Sequence, residues 1–157
     1  MTHRESNIEF DFGSAHVQQI QNDELGHGLK NVDFIIREAD RTILLEVKGT
    51  GGKAADFLSN AKILEFVEKA RDTYTYLHLT QDLAQPLTFV ALVDFTGGAR
   101  LESPFMNRRH DSLNANLRQE KGNRWKIQYI QHSLLMSLDG FVIHFPDYTA
   151  KRQAVGV

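Results

Sequence analysis

Three charged residues interrupt apolar segments of the sequence in a pattern that suits chemistry at a phosphate. Asp33 lies within one apolar segment, and Glu46 and Lys48 lie at the end of the next. Two carboxylates with an open coordination position suit a hard divalent cation, and oxygen ligands favour Mg²⁺, with Mn²⁺ as the alternative. The carbonyl of Val47 would add a neutral ligand. We expect the cation to activate a bound water that Lys48 positions or deprotonates, which predicts metal-assisted phosphodiester hydrolysis.

Two strands must bring these residues together. Residues 32–36 and 43–47 are rich in β-branched and aromatic residues, and the link between them has the length and composition of a hairpin. Side chains two residues apart in a strand point to the same face, so Glu46 and Lys48 project together. Asp33 lies on the neighbouring strand, where a register shift of one residue would turn it to the opposite face. The sequence permits the three side chains to meet without fixing the register.

A solvated hairpin edge is the alternative for these residues, with Glu46 and Lys48 simply paired to each other. They follow three consecutive large aliphatic residues, however, and so emerge from a strand of buried character. Buried charges need a partner or a metal ion. The combination therefore favours a functional site.

The remaining elements are predicted from periodicity and from start and stop signals. They are a short helix over 14–21, the hairpin, a long helix within 56–77, a strand over 87–95 buried on both faces, a helix from Asp111 to about Glu120, a strand over 125–131 and a segment over 134–145 that favours a helix over a strand. On the long helix, Glu65 and Lys69 are expected on the solvent face as a supporting pair. This order predicts an α/β protein with a mixed central sheet flanked by helices on both faces.

Length and composition narrow the class of protein. The 157 residues contain no repeat, low-complexity tract or linker, which predicts a single domain over residues 1–157. The absence of cysteine excludes disulfides, thiolate catalysis and cysteine-based zinc sites. No apolar stretch is long enough to span a bilayer and the N-terminus lacks a signal-peptide pattern, so we expect a cytoplasmic protein with no membrane partner.

Charge is distributed unevenly along the chain, although the net charge is only −2. Residues 1–47 carry nine acids against four bases, and residues 100–157 carry nine bases against five acids. In the C-terminal part, Arg108 and Arg109 begin a basic stretch interleaved with aromatic residues, which would contact phosphates or coat a solvated helix. The absence of a large positive excess argues against strong independent duplex binding. We therefore expect a homodimer or a partner subunit to complete a nucleic-acid surface.

Glycines and histidines add weaker candidates. Gly49, Gly51 and Gly52 beside Lys53 would let a phosphate backbone approach closely, although a flexible connector is the simpler interpretation. The histidines do not form the closely spaced pairs of metal sites, and His27, the one nearest the acids, is not expected to be a ligand.

Asp33, Glu46, Val47 and Lys48, in their setting HGLKNVDFII…ILLEVKG, resemble the PD-(D/E)xK nuclease superfamily, which includes many restriction endonucleases, Holliday-junction resolvases and DNA-repair nucleases. The segment EKARDTYTYL resembles the helix that follows in uncharacterised bacterial members. The resemblance covers about two thirds of the chain. One departure is that Asn31-Val32 precedes Asp33, where the name-giving motif has proline.

The resemblance implies a restriction-endonuclease-like fold and a role for each residue. Asp33 and Glu46 would be metal ligands, Lys48 would be the catalytic lysine, and an acid near the first helix, Asp23 or Glu24, would join the ligands. It implies hydrolysis of nucleic acid, with DNA the expected substrate and RNA, strandedness and endo- or exonuclease action left open.

Two functions from other classes stay open. A non-catalytic nuclease-like module, acting in nucleic-acid binding or protein assembly, would use Asp33, Glu46 and Lys48 as a structural charge network. An unrelated α/β ligand-binding protein would place Asp33 and Glu46 on opposite faces of the sheet.

Overall fold

The computed structural model describes residues 1–21, 28–50, 59–95, 103–118, 125 and 127–153. Its strands are β1 (Thr2–Glu5), β2 (Ile8–Asp11), β3 (His16–Gln19), β4 (Phe34–Arg37), β5 (Thr42–Thr50), β6 (Leu87–Phe95), β7 (His132–Met136) and β8 (Thr149–Arg152). Its helices are α1 (Asn60–Leu79), α2 (Ser103–Arg118) and α3 (Leu138–His144). The protein is therefore of the α/β class. Among the helices in these ranges, none is long and apolar enough to cross a membrane.

A mixed five-stranded sheet in the order β3-β4-β5-β6-β7 forms the centre of the fold. The pairs β3–β4 and β4–β5 are antiparallel, whereas β5–β6 and β6–β7 are parallel. The predicted hairpin is confirmed, with Phe34 opposite Leu45 and only residues 38–41 between its strands. Strand β5 is central, so the residues that follow its aliphatic run lie in the middle of the sheet.

Helices α1 and α2 cover one face of this sheet. Phe66 on α1 and Leu113 on α2 pack against Leu44 and Phe89 of the sheet, and all four are buried. Helix α1 begins after Ser59, whose side chain caps it by accepting from the Lys62 N–H. The predicted long helix is thereby confirmed over Asn60–Leu79, while residues 56–58 lie outside the described part of the chain.

The other face is covered by α3 and by a three-stranded antiparallel sheet in the order β1-β2-β8. Phe10 of β2 and Phe12, which follows that strand, make ring contacts with Phe34 of β4 at 5.5 and 5.3 Å between centroids. Strand β6 contributes buried residues to both faces, as predicted. Helices thus lie on both faces, but the sequence reasoning missed the second sheet because its strands are only four residues long.

The prediction of a helix over residues 14–21 is wrong. His16–Gln19 form β3, an edge strand in which Val17 lies opposite Ile36. Two apolar residues three apart are a weak helix signal, and pairing with the open edge of β4 satisfies the backbone of this segment instead.

Three boundaries in the C-terminal third also differ from expectation. Helix α2 begins at Ser103, so Asp111 lies inside it and is not its cap, because Pro104 is well tolerated in a first turn and gives the stronger start signal. The strand expected over 125–131 is wrong, since the strand is His132–Met136. The helix favoured over 134–145 is confirmed only for Leu138–His144, which Ser137 caps.

Candidate functional site

The β4–β5 hairpin brings Asp33 close to Glu46. The regular pairing ends at Phe34 opposite Leu45, and Asp33, the residue before it, donates its backbone N–H to the Leu45 carbonyl oxygen at 3.1 Å. The Asp33 side chain lies on the α1 side of the sheet, where it and Lys69 line the same cleft. The Val47 N–H donates to the Asp33 Oδ2 at 2.7 Å, so the carboxylate closes the end of the ladder in place of a backbone acceptor. The opposite-face arrangement that an unrelated ligand-binding protein would require is therefore not what the chain adopts.

Glu46 is completely buried, with a side-chain exposure of 0%. It follows Leu44 on the face of β5 that α1 covers, because side chains alternate along a strand. Its Oε1 forms ion pairs with Lys69 Nζ and with Lys48 Nζ, the latter at 3.1 Å. Its Oε2 is buried and has no hydrogen-bond partner among the described residues. Two ammonium groups thus pair with one oxygen of this carboxylate, while the described residues offer the other oxygen no hydrogen-bond donor.

The electrostatics of the group follow from this burial. Burial and the neighbouring charge of Asp33 raise the pKa of Glu46 to about 7, against the opposing charges of Lys69 and Lys48. Burial also raises the pKa of Asp33, against the Val47 N–H bond that favours its charged form. Burial by itself would lower the pKa of Lys48, but the charge of Glu46, the hydrogen bond to Glu46 and the charge of Glu65 together outweigh it and raise that pKa. The two acids and two lysines therefore form one coupled charge cluster.

Lys69 belongs to this cluster, which the sequence reasoning missed. The expectation of a solvent-facing Glu65–Lys69 pair is wrong: Lys69 turns to Glu46 and is only 17% exposed. Glu65 instead pairs with Lys62 at 3.0 Å and with Lys48 at 3.6 Å. The signal that could have indicated Lys69 is its position beside the apolar stripe of α1, between Phe66 and Ala70, from which a long side chain reaches the sheet.

The turn of the β1–β2 hairpin closes one side of the site. Ser6 and Asn7 have φ of 49° and 62°, as in the two-residue turns of tight hairpins. This turn lies against β5, since a Cβ added at Gly49 would come within 3.2 Å of Ser6. The preceding Glu5 carries a charge that raises the pKa of Asp33. The second sheet therefore supplies a further carboxylate near the site.

A cleft of about 520 Å³ opens beside the cluster. Its lining residues include two residues of the cluster, Asp33 and Lys69, and six others: Glu5, Ile20, Gln21, Lys30, Asn31 and Glu65. The lining is mostly polar, and the cleft adjoins the acids. A polar substrate group entering it would meet the charge cluster directly.

The donors present fit a divalent cation. Asp33 and Glu46 supply carboxylate oxygens, one of which is the unsatisfied Glu46 Oε2. In a strand the N–H and C=O of one residue point to the same side, so the Val47 carbonyl faces the side on which its N–H meets Asp33. Within the described ranges, no group of three or more His, Asp or Glu side chains is arranged around a metal position. A cation here would take two carboxylates, the carbonyl and water, as Mg²⁺ commonly does.

The other predicted site residues are not part of this cluster. Asp23, Glu24, His27 and Lys53 lie outside the described residues. Arg109 packs over Phe105 and donates to the Asn60 Oδ1 at 2.9 Å, at the start of α1. That point lies about 13 Å along the helix from Lys69, given nine residues of helical rise.

The neighbouring Arg108 is exposed on α2. Most of the basic stretch that follows α2 falls outside the described ranges, including Lys121, Arg124 and Lys126, while Trp125 is 47% exposed. Arg108 and Arg109 therefore stay predictions as contacts to nucleic acid.

Comparison of the chain with protein-family models, with curated proteins and with solved structures found no match. Its function must therefore be inferred from the charge cluster, the cleft and the elements that position them.

Proposed function

We propose that this protein is a divalent-metal-dependent nuclease of the PD-(D/E)xK type that hydrolyses phosphodiester bonds in nucleic acid, with DNA as the substrate. The observation that carries the proposal is the meeting of Asp33, Glu46 and Lys48 on one face of the sheet, beside an open polar cleft. Burial of a carboxylate with an unsatisfied oxygen is costly, and coordination of a metal ion is one of the few ways to offset that cost.

Each residue of the cluster has a role in this proposal. Asp33, Glu46 and the Val47 carbonyl would hold Mg²⁺, or Mn²⁺ in its place. When bound, the ion supplies an acidified water and neutralises charge on the phosphoryl oxygen. Lys48, whose ammonium lies 3.1 Å from Glu46, would orient the attacking water and stabilise the charge that develops on the phosphate.

The order of elements supports the same family. The resemblance implies a helix, then strands bearing Asp and Glu-x-Lys, then a second helix and a further strand. The described residues have the hairpin, the long helix and the parallel strand in this order, whereas residues 16–19, where the first helix was expected, form β3. On this basis we assign a restriction-endonuclease-like fold. Because the net charge is −2, a second copy or a partner subunit would complete the surface that binds DNA, with Arg108 and Arg109 contributing phosphate contacts.

A non-catalytic nuclease-like module is the second candidate, and one observation favours it. The Glu46 Oε1 is already paired with both Lys48 and Lys69, so part of the cluster is neutralised without a metal ion. A domain of this kind would bind nucleic acid or a protein partner and keep the cluster as a structural network. It predicts that Mg²⁺ and Mn²⁺ do not bind to the site.

A cleavage assay separates the two candidates. Labelled single- and double-stranded DNA and RNA are incubated with the full chain in Mg²⁺, Mn²⁺ or EDTA. The nuclease proposal predicts metal-dependent cleavage that Lys48→Ala reduces about 100-fold or more. Lys151→Ala, at an exposed position on β8, is the matched control and should cleave like the wild type. Absence of cleavage on every substrate, together with absence of metal binding by calorimetry, would leave the non-catalytic module.

A further inference from the structure

Lys69 occupies an unusual position for a helix residue. Its ammonium forms an ion pair with Glu46, which is fully buried, yet the same side chain lines the open cleft beside Asp33. Lysine carries its charge on a flexible four-carbon stem, so the ammonium can reach either environment from one backbone position. The ammonium of Lys48 is less free to move, because Lys48 lies in the central strand two residues from Glu46 and also pairs with Glu65.

Counted in their ionised forms, the two acids and two lysines of the cluster carry equal and opposite charge, and Glu65 adds a further negative charge beside Lys48. Asp33 and Glu46 contribute two negative charges, and Lys48 and Lys69 contribute two positive charges. The two ammonium groups converge on the same Glu46 Oε1. A divalent cation bound to both carboxylates would add two positive charges in a buried place. Repulsion of that size is relieved most simply if one ammonium leaves Glu46.

We propose that Lys69 is a tethered counter-ion of Glu46 that yields its place to the divalent cation. In the absence of metal the ammonium of Lys69 neutralises Glu46. When the cation binds, this ammonium moves into the 520 Å³ cleft, where it contacts a phosphate group of the substrate. The inference rests on the proposed function, and it assigns Lys69 two successive partners, a carboxylate and then a phosphate.

This arrangement has two consequences for binding. Metal must displace an ion pair, so the measured metal affinity is lower than the carboxylates alone would give. Release of Lys69 then creates a positive group in the cleft, so metal binding favours phosphate binding. A residue that only braced Glu46 would have the opposite effect on metal, since its removal would disorder a ligand.

Calorimetric titration of the full chain with Mn²⁺ tests the inference. Lys69→Met keeps the length of the stem but removes the charge, and we expect it to bind Mn²⁺ about tenfold more tightly than the wild type. Arg71→Met removes an exposed cation from the same helix and should leave the affinity unchanged. With Mn²⁺ present, inorganic phosphate should bind more weakly to Lys69→Met than to the wild type.

Unchanged or weaker Mn²⁺ binding by Lys69→Met would overturn the inference. Lys69→Gln, a polar replacement without charge, has the same expected gain and serves if the methionine variant does not fold. If the wild type binds Mn²⁺ and neither variant binds it more tightly, only the role of Lys69 is refuted. If neither the wild type nor any variant binds Mn²⁺, the metal site of the proposed function is refuted as well.

Discussion

At the level of single residues, Glu46 has an unusually high pKa because it is fully buried beside a second acid. Burial and Asp33 raise its pKa to about 7 from the ordinary 4.5. Between these two values the folded protein binds a proton at Glu46 that the unfolded chain has lost. Unfolding therefore releases a proton in this window, and the free energy of unfolding must fall as the pH rises from about 4.5 to about 7.

Glu46→Gln should remove most of this pH dependence. In EDTA, the wild type should lose on the order of 1–3 kcal/mol of stability between pH 5 and pH 7.5 relative to the variant. Chemical denaturation at several pH values measures the difference. Glu68→Gln, which alters an exposed ion pair with Lys30, should follow the wild-type curve. Parallel curves for wild type and Glu46→Gln would show that the carboxylate titrates normally.

At the level of elements, close contact between β5 and the β1–β2 turn fixes one side of the site. A Cβ at Gly49 would lie 3.2 Å from both the Ser6 Cβ and the Ser6 carbonyl oxygen, which is tighter than ordinary packing. A Cβ at Gly140 in α3 would lie 3.4 Å from Met136 Cβ and 3.5 Å from Ser137 Oγ, which is ordinary contact. Position 49 therefore lacks room for a Cβ, whereas position 140 can hold one.

Alanine substitutions at Gly49 and Gly140 should therefore change the stability of the protein in opposite directions. Gly49→Ala should destabilise the protein by about 1–2 kcal/mol, because the turn must move away from β5. Gly140→Ala should stabilise it by about 0.5–1 kcal/mol, because alanine loses less entropy in a helix. Urea denaturation of both variants beside the wild type gives the comparison. Equal effects of the two substitutions would mean that the turn does not pack on β5 as described.

At the level of the whole molecule, a strong ion pair joins the second sheet to the central one. Arg152 on β8 binds both oxygens of Asp94 on β6, with its closest contact at 2.6 Å. The Asp94 side chain is only 4% exposed, whereas that of Arg152 is 54% exposed. A bidentate pair of this kind gives both orientation and energy. The ion pair holds β8 against the end of β6, and β8 belongs to the sheet that carries Glu5.

Arg152→Ala should therefore cost about 1–3 kcal/mol of unfolding free energy, because it leaves a buried carboxylate unpaired while the lost cation was itself partly solvated. Adding Asp94→Asn should recover part of this loss. Thermal unfolding of the two variants measures both effects, with Arg4→Ala as the control, since its pair with Glu9 is exposed and should contribute little. A loss no larger for Arg152→Ala than for Arg4→Ala would show that the pair does not hold the sheets together.

The parts of the fold that the sequence predicted are those with strong local periodicity. The β4–β5 hairpin, helix α1 and strand β6 each have a long apolar pattern of their own, and each was located close to its true position. Short elements were misjudged. Strand β3 and the second sheet have too few residues for a pattern, and they exist because open sheet edges and apolar faces elsewhere in the chain require partners.

The face that Glu46 and Lys48 share follows from their spacing alone, because side chains alternate along a strand whatever the rest of the chain does. In contrast, the closeness of Asp33 to Glu46 and the turn of Lys69 from the helix surface to that carboxylate depend on the folded chain. Register and ion pairing depend on the summed energies of contacts between distant segments. No local sequence pattern encodes these summed energies, so the arrangement of the cluster can be seen only in the folded chain.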